Sequence, residues 1–165
     1  MQTLARHGSR FPTAGKGEKY SKLFSTTLSN VPESSFIGDY EFLRDYKYTL
    51  GSDELTITGR LEMMDFGVDF YNRYKELLID DETAMPFVRS AGSERVVESA
   101  TIFARALGST WLDDLPPSTN PADFVFDVLA IPEGEDSNST LSRGLCRNEL
   151  LPENRKVGKD RKSVV

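Results

Sequence analysis

Two stretches of helical periodicity, each followed by a short run of β-forming residues, constrain the fold of this chain more than any other feature. Leu61, Met64, Val68, Tyr71 and Leu78 recur at steps of three, four or seven. That spacing puts them on one face of a helix that begins after Thr58, a capping residue, and runs to about Leu78. Val96, Ala100, Phe103 and Leu107 repeat the pattern behind Ser93, with Gly108 as the expected stop. Phe87-Val88 lies between the helices, and residues 124–131, rich in Val, Phe and Ile, follow the second; both read as strands. Residues 2–5 read as a further short strand, and residues 12–19, rich in Gly, Lys and Thr, as a loop. Residues 20–54 give no clean assignment, and residues 113–123, with Pro116, Pro117 and Pro121, read as a loop. The order strand, loop, helix, strand, helix, strand predicts an α/β domain with a parallel or mixed sheet. Ligands in such sheets sit beyond the carboxyl ends of the strands, where turns bearing Arg6 and Arg89 are expected.

Composition narrows the partners. The chain has 165 residues, the size of one domain, and its 38% hydrophobic content is enough for a core rather than a disordered coil. A net charge of −6 disfavours nucleic acid and anionic membranes as general partners, yet leaves room for a local basic pocket that holds a small anion. No apolar run approaches membrane-spanning length, and no signal peptide is expected ahead of the first strand. Cys146 is the single cysteine and forms no internal disulfide; it fits either a cytosolic thiol or a secreted protein whose partner cysteine lies outside this segment. Asn138-Ser139-Thr140 is an acceptor triplet for N-glycosylation.

The chemistry is concentrated in Arg6-His7-Gly8-Ser9-Arg10-Phe11-Pro12, which contains the only histidine. Phosphoryl transfer through histidine needs a neutral imidazole to attack phosphorus and cations already placed on the transferring oxygens. Arginine suits the second task because its planar fork matches phosphate oxygens. Arg6 and Arg10 bracket His7, Gly8 lets the backbone approach a ligand, and Pro12 stiffens the exit. A lone Arg-His pair would read as a surface histidine among arginines. The full run R-H-G-x-R-x-P has a chance rate on the order of one in ten million per position from average residue usage. The arginine cage and the lack of a His/Cys/Asp ligand cluster argue for chemistry with no metal and no cofactor.

This run, in the context Leu4-Ala5-Arg6-His7-Gly8-Ser9-Arg10-Phe11-Pro12-Thr13, resembles the signature of the histidine acid phosphatases. The likeness to the phytase branch continues through Lys16-Gly17-Glu18-Lys19-Tyr20, Leu50-Gly51-Ser52-Asp53-Glu54-Leu55-Thr56 and Gly67-Val68-Asp69-Phe70-Tyr71-Asn72-Arg73-Tyr74. It includes Phe87-Val88-Arg89-Ser90-Ala91-Gly92-Ser93-Glu94-Arg95-Val96, Ile131-Pro132-Glu133, Asn138-Ser139-Thr140-Leu141 and Gly144-Leu145-Cys146. The resemblance implies a partial, incomplete α/β sandwich of the phosphoglycerate-mutase-like type over residues 1–149. Residues 150–165, with Arg155, Lys156, Lys159, Arg161 and Lys162, do not share it and read as a divergent, disordered tail rather than a basic interaction arm. By the same resemblance His7 becomes phosphohistidine, Arg6 and Arg10 bind the scissile phosphate, and Arg89 is a third phosphate-binding arginine. Lys16 and Lys19 match basic positions around a highly phosphorylated substrate; the plain alternative for both is a solvated loop. The implied activity is secreted, glycosylated acid phosphatase hydrolysing phosphomonoesters such as phytate.

The sequence departs from that family in one respect that bears on chemistry. Complete members carry a distant His-Asp motif whose aspartate protonates the leaving oxygen, and these 165 residues hold no second histidine. The expectation is therefore a fragment that is weak or inactive alone. A non-catalytic phosphate-binding remnant, or an unstable truncated fragment, is the alternative. A mutase-like relative sharing the Arg-His-Gly start is a third reading, disfavoured by the match through residues 70–74 and 88–92.

Overall fold

The computed structural model describes residues 2–79 and 86–134. Five principal elements follow in order: α1 (Ala14–Ser29), α2 (Ile57–Ile79), β1 (Val88–Ala91), α3 (Glu94–Asp113) and β2 (Val128–Ile131). Short 3-10 turns at Glu33–Ser35, Gly38–Arg44 and Pro121–Phe124 fill the connections. β1 and β2 pair in parallel, Val88 opposite Val128 through Ala91 opposite Ile131, with α3 as the crossover between them. This is the parallel α/β unit expected from the alternation of periods. None of the described helices is long and apolar enough to cross a membrane.

The core lies where α2 and α3 pack on the sheet. Tyr71, Ala104, Leu107, Trp111 and Phe126 form a single buried cluster, with Phe70, Leu78, Val88, Phe103, Phe124 and Val128 against it. Trp111 meets Phe124 edge-on at 5.3 Å between centroids and Tyr71 at 6.2 Å, spacings at which aromatic pairs attract beyond their buried area. Close approach of the helices depends on Gly67, where a Cβ would stand 2.6 Å from the Phe103 carbonyl oxygen.

Several local expectations are corrected. Residues 2–5 form no strand: they are exposed, and the nearest pairing is an isolated antiparallel bridge between Arg10 and Leu55. The segment read as a glycine-rich loop is the start of α1. There the Thr13 carbonyl accepts from the Lys16 and Gly17 amides at 2.8 Å, and Asp53 Oδ2 accepts from the Ala14 amide at 3.0 Å. Helix formation at Gly15 and Gly17 is thus imposed by a cap from a distant loop and by Tyr48, which covers Gly17. The cap of α2 is Thr56, whose hydroxyl accepts from the Gly59 amide at 3.0 Å, not Thr58. Its inward stripe is Gly59, Met63, Gly67 and Tyr71, while Leu61 and Met64 are 50% and 45% exposed. Gly108 does not stop α3: a Cβ there would lie 2.1 Å from the Phe124 carbonyl oxygen, so the glycine serves packing. The strand expected over residues 124–131 is shortened to Val128–Ile131 because Asn120 caps a 3-10 turn that ends at Phe124.

Candidate active site

The segment 6–12 is irregular backbone, and three neighbours fix it. Residues 53–56 run alongside: Phe11 N–H donates to the Glu54 carbonyl, Thr56 N–H to the Ser9 carbonyl, and Asp53 N–H to the Pro12 carbonyl, each at 3.0 Å. From α3, the buried hydroxyl of Ser99 accepts from the Gly8 amide at 3.2 Å while donating to the Arg95 carbonyl at 2.6 Å. Against α2, Gly8 sits on Gly59 so closely that a Cβ on Gly8 would be 2.2 Å from the Gly59 carbonyl oxygen, and one on Gly59 would be 1.9 Å from that of Ser9. Glycine at position 8 is therefore a demand of close backbone approach.

Around this loop opens a cleft of about 450 Å³ lined by Arg6, His7, Gly8, Ser9, Arg10, Phe11, Pro12, Thr13, Lys16, Tyr20 and Glu62. Three cationic side chains and one carboxylate share it, which suits a small anion. His7 is half-buried, and its Nδ1 lies 2.7 Å from the Gly8 carbonyl oxygen. A carbonyl only accepts, so Nδ1 carries the proton; in the neutral ring Nε2 then holds the free lone pair. Arg10 Nη1 donates to the Phe11 carbonyl at 2.9 Å and stands 3.8 Å from Asp53 Oδ1. The buried Arg10 Nε has no protein partner among the described residues. Asp53 also faces Arg95 Nη1 at 3.6 Å, and its φ of 63° places it in the left-handed region, a conformation that aspartate tolerates better than most residues. Glu62 reaches in from α2. Hydrogen bonds from the Ser9 hydroxyl, and then from the Ser9 amide, hold its carboxyl below the ordinary carboxylate range.

Of the residues expected at a phosphate site, Arg6, His7, Arg10 and Lys16 come together here. Lys19 is exposed on α1 and is not among the lining residues. Arg89 lies within β1, opposite Leu129, rather than in a turn after it; it is exposed and likewise not among those lining the cleft. Asn138, Cys146 and the boundary at residue 149 fall outside the described residues. Sequence reasoning missed Glu62, Tyr20, Asp53 and Ser99. Glu62 carries a faint signal, a carboxylate one turn into a helix beside Gly59. The other three are brought in by tertiary contacts alone.

Comparisons with known proteins agree with the motif. The family described as "Histidine phosphatase superfamily (branch 2)" matches residues 1–162. Phytase A of Aspergillus fumigatus is 40% identical over 146 residues, 88% of this chain and 30% of that protein. Phytase A of Emericella nidulans is 42% identical over 146 residues, again 88% of this chain and 30% of that protein. Phytase A of Arthroderma benhamiae is 48% identical over 102 residues, 62% of this chain and 21% of that protein. The chain thus spans about 30% of the length of the first curated relatives it matches.

Proposed function

The chain belongs to branch 2 of the histidine phosphatase superfamily, and we propose that the cleft around His7 is a phosphoryl-transfer site acting on phosphomonoesters. The observation that supports it best is the 2.7 Å approach of His7 Nδ1 to the Gly8 carbonyl oxygen, which assigns the proton to Nδ1, inside a cleft that also holds Arg6 and Arg10. Nε2 attacks phosphorus, the phosphorus–oxygen bond to the leaving alkoxide breaks, and the phosphoryl group rests on Nε2. Arg6 and Arg10 neutralise the transferring oxygens. Water then attacks phosphorus, releasing inorganic phosphate and restoring the imidazole.

Relatives bearing the name phytase A point to phytate as a substrate, and Lys16 at the cleft wall favours an ester with several phosphates. Arg89 and Lys19 enter this reading through the family resemblance and are not among the residues lining the cleft. Secretion rests on the same resemblance, and modification of Asn138 on its Asn-Ser-Thr acceptor triplet. The leaving alkoxide needs a proton, and the chain's one histidine is already committed as nucleophile. General-acid help is worth about a hundred- to ten-thousandfold, so esters with good leaving groups should react best. A site that binds phosphate without turnover is the second reading, favoured because Glu62, the one carboxylate among the lining residues, is held ionised by Ser9 and so is no proton donor to the leaving oxygen. The deciding assay compares an activated aryl phosphate with phytate, in the wild type and in His7→Ala. The proposal expects slow release from the aryl ester, little from phytate, and loss of both in His7→Ala. Phosphate binding with no hydrolysis of either ester supports the second reading.

A further inference from the structure

A carboxylate in an anion cleft calls for a reason, because on charge alone Glu62 weakens binding of phosphate. Both of its oxygens are committed to one residue: Oε2 accepts from the Ser9 N–H and Oε1 from the Ser9 hydroxyl, each at 2.7 Å. Ser9 N–H and the Gly8 carbonyl belong to the same peptide unit, which is planar and trans. Its two polar ends therefore point in opposite directions and turn together. Glu62 grips the N–H end, and His7 Nδ1 grips the carbonyl end at 2.7 Å. Orientation of that one plane decides whether the Gly8 oxygen stays within reach of the imidazole. Accepting the N–H also polarises the amide, making its oxygen a better acceptor, as in other hydrogen-bonded chains.

We infer that Glu62 is a positioning residue that acts through the Gly8–Ser9 peptide plane, keeping the proton on His7 Nδ1 and the lone pair on Nε2. The inference builds on the reading of His7 as the nucleophile, but its test does not depend on phosphate binding. Glu62 is exposed on α2, where conservative changes leave the core untouched. Glu62→Gln removes the charge and keeps an oxygen at the same reach for the Ser9 N–H. Glu62→Asp keeps the charge and withdraws it by one methylene.

Because His7 is the only histidine, ¹⁵N-histidine labelling of the whole chain gives one pair of ring-nitrogen signals, which report the tautomer directly. In wild type the protonated nitrogen is expected to be Nδ1. Glu62→Gln should keep that tautomer. Glu62→Asp should shift the ratio toward Nε2–H by about tenfold, the size of one net hydrogen bond to a charged group. A wild-type ring protonated on Nε2 overturns the inference, as does an Asp variant that matches wild type or a Gln variant that loses the Nδ1 proton. Whether the cleft is a phosphate site is judged separately, by titrating wild type and Arg6→Ala with inorganic phosphate and following the ³¹P signal. A failure there leaves the tautomer result standing.

Discussion

At the scale of single residues, the site is held by backbone contacts that leave no space for side chains. Gly59→Ala is expected to be costly although alanine is the better helix former. Its Cβ would meet the Ser9 carbonyl oxygen at 1.9 Å, so either the 6–12 segment or α2 must move. Overpacking of this kind costs about 1–3 kcal/mol. Thermal melting should show that loss together with weaker phosphate binding; an unchanged melt would mean that the loop is not pressed against α2. Legibility in the sequence was highest here for the motif itself, because Arg6, His7 and Arg10 are chemically specific and only four positions apart at most. It failed for Asp53, Ser99 and Glu62, whose partners are 39 to 91 residues away in the chain. No local pattern marks a hydroxyl or carboxylate for such a partner. Arg89 stands apart: its strand was legible, but its absence from the lining residues was not.

Among the elements, α2 and α3 carry the stability. Trp111→Ala should cost about 3–5 kcal/mol, the usual range for removing a buried large aromatic, because Trp111 joins Tyr71, Phe124 and Phe126 in one cluster. Denaturant titration checks this, and a loss no larger than that of an exposed substitution would contradict the core assignment. Burial, then the hydrogen bond and charge of Asp114, push the Tyr71 hydroxyl up to about 12 from an ordinary 10. With the folded value above the unfolded one, the neutral phenol's contribution is fully present below the unfolded value. It is lost as pH rises through the folded value. Alkaline unfolding should therefore begin above about pH 10, and Tyr71→Phe should flatten that limb; identical alkaline profiles would refute it. Both long helices were legible from their period, while their burial stripe on α2 was not. Gly59 and Gly67 replace Leu61 and Met64 on the inner face because backbone contact with the motif loop and α3 outweighs side-chain hydrophobicity there. The start of α1 was illegible for a related reason, since its cap is supplied by Asp53 from another loop.

Over the whole molecule, the described sheet has two short strands and leaves Phe87, Val125 and Leu129 exposed around it. Open strand edges beside apolar side chains promote association. Leu129→Lys, whose side chain is 53% exposed, is expected to raise the soluble fraction without lowering the melting temperature, measured by sedimentation and melting. A lower melting temperature would place Leu129 in the core instead. Placement of α3 between β1 and β2 brings the Ser99 hydroxyl to the Gly8 amide, so the same crossover that builds the core also supports the His7 loop. The central claim is that this loop presents an unprotonated Nε2 of His7 between Arg6 and Arg10 to accept a phosphoryl group. It is tested most directly by reacting the chain with an activated aryl phosphate, quenching under alkaline conditions that preserve phosphohistidine, and locating the label by peptide mass spectrometry and ³¹P NMR. The account predicts a phosphoryl group on Nε2 of His7, absent from His7→Ala; a label on Ser9, or on Nδ1, or none at all in a folded chain that binds phosphate, would contradict it.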